Sequence, residues 1–238
     1  MSKILCIDIG NTNTKFAIFT DGSYEYLGYV PTCELSELPA DGRQMPPLQI
    51  ITKCIISSVV PSKTQFVIAM IRRNFGVEPI LVPDDKGVGA DILASMEYAK
   101  NHFELPCIVF SFGTATTVYV LGENGKMQGG LIIPGIEPSL EAMAVKAENL
   151  PEIMPYETDA FLEFSTKGAM NSGIIYGTAA QVEWLYKKTK KEYGIKTLIL
   201  AGGYSGLISK YVTIPHIVER DIVLKGCCAI FNSENSNE

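Results

Sequence analysis

Ile4–Phe19, ILCIDIGNTNTKFAIF, is the stretch whose reading decides the fold of this chain. Ile4, Leu5, Cys6 and Ile7 form one apolar run and Phe16 to Phe19 another, with Asp8, Gly10, Asn11, Thr12, Thr14 and Lys15 between them. Short apolar runs bounded by Gly and Asn read as two strands of a hairpin. Gly10 and Asn11 tolerate positive φ in a tight turn, which lets backbone N–H groups approach an outside ligand. The turn carries hydroxyls, an amide and one cation, the groups from which a phosphate cradle is made. Asp8, at the end of the first strand, is placed to hold a metal ion and its water near those phosphates. A plain hairpin with a solvated Asp8 at its strand end has the same local signature.

The stretch occurs twice. Ile7 to Gly22 (IDIGNTNTKFAIFTDG) can be written above Phe110 to Gly125 (FSFGTATTVYVLGENG) without a gap, every position offset by 103 residues. Gly10 falls on Gly113, Asn11 on Thr114, Thr14 on Thr117, and Asp21-Gly22 on Asn124-Gly125. Each copy reads as strand, Gly-Thr turn, strand, then an Asp-Gly or Asn-Gly turn into a third strand. The fold is therefore expected to consist of two related halves, since two copies are too few for a solenoid.

The chain has 238 residues, enough for two lobes, and 47% of them are hydrophobic, enough for a sizeable core. A net charge of −6 argues against a nucleic-acid-binding surface, and the one basic cluster, Lys187 to Lys191, reads as a solvated helix face. No early apolar run has the form of a signal peptide and none reaches the length of a membrane span, so the expected location is the cytoplasm. Cys6, Cys33, Cys54, Cys107, Cys227 and Cys228 form no CxxC pair and read as small reduced core residues. His102 and His216 have no clustered partners, which argues against zinc or imidazole catalysis.

Residues 31–49, with Pro31, Pro39, Pro46 and Pro47, read as a loop-rich connector inside the first half. Cys54 to Val59 returns to strand, and Pro61 opens a helix with Phe66, Val67, Met70 and Ile71 at helical spacing. Pro79 to Val82 is a short strand, and such alternation argues for an α/β fold. GVGAD (Gly87 to Asp91) then leads into a helix with Asp91 at the N-cap position. An exposed carboxylate there could also take a proton from an attacking hydroxyl.

Leu105 to Phe110 reads as the buried strand that opens the second half, and Gly129 to Gly135 as a turn and buried strand. Glu137 to Ala147 and Thr166 to Lys191 read as helices; along the second, Ala169, Gly173 and Gly177 recur every fourth residue. Glycine within a helix costs about 1 kcal/mol relative to alanine, so this small-residue face implies close packing, either within the lobe or across an interface. Leu198 to Leu200 is the last strong strand, turned by Ala201, Gly202 and Gly203. Asn232 to Glu238 reads as a polar tail that frays.

Two Gly-Thr hairpins in related halves followed by LILAGG (Leu198 to Gly203) resemble the superfamily of actin, sugar kinases and heat-shock ATPases. Within it, DIGNTNTK, GVGAD, FGTATT, GGLIIPG, TKGAMNSGIIYG, LAGG and DIVLKG resemble type III pantothenate kinase, in that family's order and from Asp8 to Gly226. The resemblance implies an α/β fold of two related actin-like (ribonuclease H-like) lobes, 1–104 and 105–238, with a nucleotide cleft between them. It implies ATP-dependent phosphorylation of pantothenate to 4'-phosphopantothenate, the first step of coenzyme A biosynthesis, by a homodimeric transferase with no membrane or nucleic-acid partner. ATP and its phosphates would be held by Asp8, Ile9, Gly10, Asn11, Thr12, Asn13, Thr14, Lys15, Gly113 and Thr114, with Gly202 and Gly203 under the adenosine. Asp8 would position Mg2+, Asp91 would be the base, and Gly89, Ala90, Asp91, Ile92 and Thr166 would border the substrate.

Four positions depart from the family pattern. Ile92 replaces the arginine of its GxDR motif, Val82 a substrate-contacting tyrosine, Ser111 an aspartate that binds a monovalent cation (K+ or NH4+), and Ala201 a threonine. An apolar side chain cannot replace a bidentate guanidinium, and a serine hydroxyl is a weaker cation ligand than a carboxylate. Retention of Asp8, Asp91 and Thr114 favours an enzyme. The departures favour a non-catalytic relative that binds nucleotide or a partner as a regulatory module; a kinase of another small hydroxy acid is the second enzymatic reading.

Overall fold

β1 (Lys3–Ile9) and β2 (Asn13–Thr20) form the expected antiparallel hairpin, pairing Asp8 with Lys15 and Ile9 with Thr14. The computed structural model describes residues 3–20, 22–37, 51–83 and 87–235. β3 (Ser23–Pro31) follows through a turn in which Gly22 has φ +85°; Asp21 of that turn lies outside the described residues. Pro31 closes β3 and Thr32–Glu37 forms a 3-10 turn, whereas the rest of the connector expected over 31–49 lies outside the described residues. β4 (Lys53–Ser58) then pairs parallel with β1, α1 (Pro61–Phe75) crosses back, and β5 (Ile80–Leu81) pairs parallel with β4. α2 (Ala90–His102) ends this part of the chain.

The second set of elements repeats the first. β6 (Cys107–Phe112), β7 (Ala115–Leu121) and β8 (Met127–Pro134) form an antiparallel meander. α3 (Ile136–Lys146) and the long α4 (Thr166–Tyr193) lead to β9 (Thr197–Gly202), α5 (Ser205–Ile208) and β10 (Ile217–Glu219). The sheets have the orders β3-β2-β1-β4-β5 and β8-β7-β6-β9-β10, with the same sequence of antiparallel and parallel pairings. Two related α/β halves are therefore observed.

The gap-free superposition of the two copies does not survive the turn. Gly10 N–H reaches the Asn13 carbonyl at 3.1 Å, but Gly113 N–H reaches the Ala115 carbonyl at 3.1 Å, so the second turn is one residue tighter. Ser111 consequently faces Thr117, while Asp8 faces Lys15. Because side chains alternate along a strand, the one-residue slip exchanges the faces of β7, and the counterpart of Thr14 is Thr116 rather than Thr117. Both of those threonines are buried.

The two compact units are Met1–Asn101 with Ile222–Glu238, and His102–Asp221. The division differs from 1–104 and 105–238 because the terminal helix α6 (Ile222–Asn235) belongs to the first unit. Its Leu224, Cys227 and Phe231 pack with Ile4, Cys6, Ala17 and Ile55 of the first sheet and Ala90 and Ala94 of α2. The opposite face of that sheet, with Leu5, Ile7, Ile9, Phe16 and Ile56, packs on Val67, Ile68 and Ile71 of α1. In the second unit Ile108, Phe110, Phe112 and Val118 pack on Ile175, Ala179 and Val182 of α4. β8, expected to be buried, is an edge strand with Leu131 and Ile132 exposed, because no helix covers it among the described residues. Cys33 alone of the six cysteines is exposed, and all six are free thiols.

Candidate active site

The polar residues of the first unit converge where β1 and β4 end and β2 begins. Parallel pairing sets Ser57 of β4 level with Asp8, and antiparallel pairing sets Lys15 on its other side. Residues in one register row share a face of the sheet, so Lys15, Asp8 and Ser57 look the same way as Ile4 and Cys6, toward α2 and α6. Asp8 is 8% exposed. Burial pushes its carboxyl up to about 6; the Lys15 ammonium opposes that shift and the Asp91 carboxylate adds to it. Asp91 is likewise raised by burial, with the Ile92 N–H and Lys15 opposing. Two carboxylates thus share one ammonium.

Asp91 is not the N-cap. The Leu93 N–H bonds the Gly89 carbonyl at 3.0 Å, which makes Gly89 the capping position and sets Asp91 in the first turn. There the Ile92 N–H donates to Asp91 Oδ1 at 2.8 Å, and the helix N-terminus favours the anion. A Cβ at 89 would lie 2.6 Å from Asp91 Oδ1 and would push that carboxylate from its present position, which glycine leaves open. Ala90 is buried beneath the turn.

The first turn is braced from within. Thr14, read above as a phosphate contact, is fully buried with its hydroxyl 3.0 Å from that of Thr32, which in turn donates to the Gly10 carbonyl at 2.7 Å. Thr14 therefore fixes the turn instead of lining it. Ile9 is buried in the core and offers an outside ligand only its backbone. Asn11 and Thr12 are exposed at the tip, and Asn13 and Lys15 are half-buried. Gly10 is not among the glycines of positive φ; it is needed because a Cβ would lie 3.0 Å from the Asn13 carbonyl.

In the second unit Gly113 and Thr114 are exposed, and the Thr114 carbonyl accepts from the Gly135 N–H at 3.2 Å. The row that matches Lys15, Asp8 and Ser57 is Thr117, Ser111 and Ala201, in which no side chain is charged; Glu219 stands one strand further, level with Ala201. Gly202 has φ +84° and passes so close to β6 that a Cβ would lie 2.5 Å from the Phe112 carbonyl, whereas Gly203 has open space around it. Thr166 is exposed at the first position of α4, which Ser165 caps by accepting from the Gly168 N–H.

Ser57 was not singled out from the sequence. It is fully buried and its Oγ has no hydrogen-bond partner. The only signal was a serine pair closing a strand in IISSVV, and its register with Asp8 is a tertiary fact.

One consequence is measurable in the free protein. Asp8 titrates near 4 in an unfolded chain and near 6 here, so the fold holds the proton more tightly. The stability this gives is complete below about pH 4 and is lost as pH rises through 6. Ionised Asp8 then costs the fold on the order of 3 kcal/mol. Asp8→Asn is expected to raise Tm by several degrees at pH 8 in chelator, the difference shrinking toward pH 4. An equal or lower Tm at pH 8 would contradict the assignment.

A half that occurs twice, each copy a five-stranded sheet of the same order that opens on a hairpin, defines the actin-like fold class. The solved structures agree on the fold: a conserved Baf family protein from Campylobacter jejuni superposes with TM-score 0.59 at 18% identity, covering 98% of this chain and 100% of that one. The activator of 2-hydroxyisocaproyl-CoA dehydratase from Clostridium difficile, solved with bound ADPNP, gives 0.53 at 15% identity, covering 99% and 97%. The family model for type III pantothenate kinase matches residues 4–188, and a type III pantothenate kinase of Paramagnetospirillum magneticum is 33% identical, covering 95% of this chain and 96% of that protein. The chain belongs to the type III pantothenate kinase family.

Proposed function

We propose that this chain phosphorylates pantothenate with ATP, yielding 4'-phosphopantothenate and ADP at the start of coenzyme A biosynthesis. The observation that carries the reading is the convergence of Asp8, Lys15 and Asp91 beside the first turn, in a chain of this family. Asp91, held by the Ile92 N–H and raised by burial, accepts the proton of the substrate hydroxyl as its oxygen attacks the γ-phosphorus and the bond to the bridging oxygen of ADP breaks. Lys15, Gly10 and the exposed Asn11 and Thr12 serve the phosphates, as do Gly113 and Thr114; Gly202 and Gly203 serve the adenosine, and Thr166 the substrate.

The residues of the first turn fit Mg2+. Two carboxylates against one ammonium leave an uncompensated negative charge, and Ser57 Oγ is an orphaned buried oxygen. Among the described residues no three His, Cys, Asp or Glu form a metal cluster, so Asp8 alone would anchor an ion that keeps most of its water, as Mg2+ does. Bound there, the ion would neutralise charge on the phosphates.

Ile92 favours a second reading, a kinase of another small hydroxy acid, because it offers no guanidinium to a substrate carboxylate. Val82 is a core residue against Ala90 and Ala94 and does not replace the lost contact. ADP release with pantothenate and with a panel of small hydroxy acids distinguishes the two readings. Pantothenate is expected to give the highest kcat/KM.

Ser111 supports a further expectation. Its row holds only hydroxyls and Ala201 near the strand end, so a monovalent cation would lack a carboxylate beside the second turn. ATP affinity and turnover are expected to change little between potassium and a bulky organic cation at equal ionic strength, and Ser111→Asp to introduce a dependence. A strong potassium effect in the unaltered protein would contradict this and point to Glu219.

The small-residue face is not covered among the described residues. Ala169, Gly173 and Gly177 are exposed, as are Trp184, Phe161 (66%), Leu162 (82%) and Phe164 (110%) in the same unit. An apolar surface of this kind marks an interface, and a homodimer that covers it is expected, with α4 in the contact. A monomer by light scattering at micromolar concentration would contradict it. No helix of the described residues is long and apolar enough to cross a membrane.

A further inference from the structure

Ser57 carries an observation that the family reading leaves unused. Its side chain is fully buried, level with Asp8 in the parallel pair β1–β4, and its Oγ is bonded to nothing. The Cys227 thiol lies against its backbone from α6, and the whole residue is withdrawn from bulk water. A buried hydroxyl without a partner is destabilising, and alanine would fill the same space without that penalty. The neighbouring Thr14, also buried, has its partner, as does Ser58, whose Oγ lies 2.8 Å from that of Thr64. Ser57 is thus the unsatisfied hydroxyl of the row, and it stands beside the carboxylate that would anchor the ion.

We infer that Ser57 is a positioning residue, whose Oγ bonds a water of the hydrated divalent cation held by Asp8 and so fixes where that ion sits beside the turn. The inference rests on the reading of Asp8 as the cation's anchor. An ion held by one carboxylate can swing about it, and a second oxygen on the adjacent strand, rigidly in register, removes that freedom. The sheet supplies the spacing: neighbouring strands lie about 4.8 Å apart, and Ser57 Oγ makes no direct bond to Asp8, so one water of the ion could be shared by the two side chains. Outer-shell partners of this kind change metal affinity by roughly 10- to 100-fold when removed.

The test is Mn2+ titration of the full chain with ADP present, free Mn2+ being read by electron paramagnetic resonance, for the unaltered protein, Asp8→Asn and Ser57→Ala. Ser57→Ala is expected to weaken Mn2+ binding about tenfold while Tm in chelator stays level or rises. Asp8→Asn is expected to abolish binding. Loss with Asp8→Asn but unchanged affinity with Ser57→Ala would overturn the role of Ser57 and leave Asp8 in place. No binding by the unaltered protein, or binding indifferent to Asp8→Asn, would overturn both. A lowered Tm of Ser57→Ala with unchanged affinity would assign the hydroxyl to the fold and likewise overturn the inference.

Discussion

Asp91→Asn is expected to lower kcat at least 100-fold while leaving the fold and the ATP affinity close to those of the unaltered protein. The amide can still accept from the Ile92 N–H through its oxygen, so the first turn of α2 keeps its geometry. It has no basic site for the hydroxyl proton. Burial raises the Asp91 carboxylate above its ordinary range, which makes it a stronger base than a solvated aspartate. The Ile92 N–H and the ammonium of Lys15 act against that rise. Removing the negative charge also leaves Asp8 as the one carboxylate of the cluster within the field of Lys15, so a modest change in phosphate affinity accompanies the loss of turnover. Near-normal turnover in the variant would take Asp91 out of the chemistry and leave it only a favourable charge at a helix N-terminus.

Gly226→Ala is expected to cost about 3 kcal/mol or more of stability, because two helices meet there through their backbones. A Cβ on residue 226 would lie 1.9 Å from the Ala94 carbonyl oxygen and 2.3 Å from its carbon, closer than real Cβ contacts come. Neither atom is the free end of a flexible side chain, so α6 and α2 must part. Parting them opens the core formed by Ala90, Ala94, Leu224 and Cys227 and moves the helix that carries Asp91. The urea midpoint and kcat are therefore both expected to fall in this variant, whereas Asp91→Asn lowers kcat alone. A midpoint equal to that of the unaltered protein would contradict the close helix crossing.

The hairpin Ile4–Phe19, its second copy and the two-part architecture were legible because strand patterning and the turn residues are local. So was the gathering of Asp8, Lys15 and Asp91, through the order of the motifs and not through any rule of spacing. What was not legible depends on pairing between distant segments. The one-residue slip at Gly113–Ala115 reassigns the partner of Ser111, and no local propensity distinguishes it from the turn at Gly10–Asn13. Thr14 carries the hydroxyl of a phosphate turn, yet Thr32 draws it inward from the far end of β3. The glycine of the first turn answers to a close approach rather than to positive φ. Return of α6 to the first unit reflects complementarity between Gly226 and Ala94, which no single-helix pattern contains. Exposure of Gly173 and Gly177 among the described residues is likewise a tertiary fact that the small-residue spacing does not contain.

The most direct measurement is mass-spectrometric detection of the phosphorylated product after the unaltered protein and Asp91→Asn are each incubated with ATP, Mg2+ and pantothenate. Formation of 4'-phosphopantothenate with one ADP per product, lost in the variant, is the expected result. A protein that binds ATP but leaves pantothenate unphosphorylated, or a variant that forms the product as fast as the unaltered protein, would contradict the assignment of this cluster as a pantothenate kinase site.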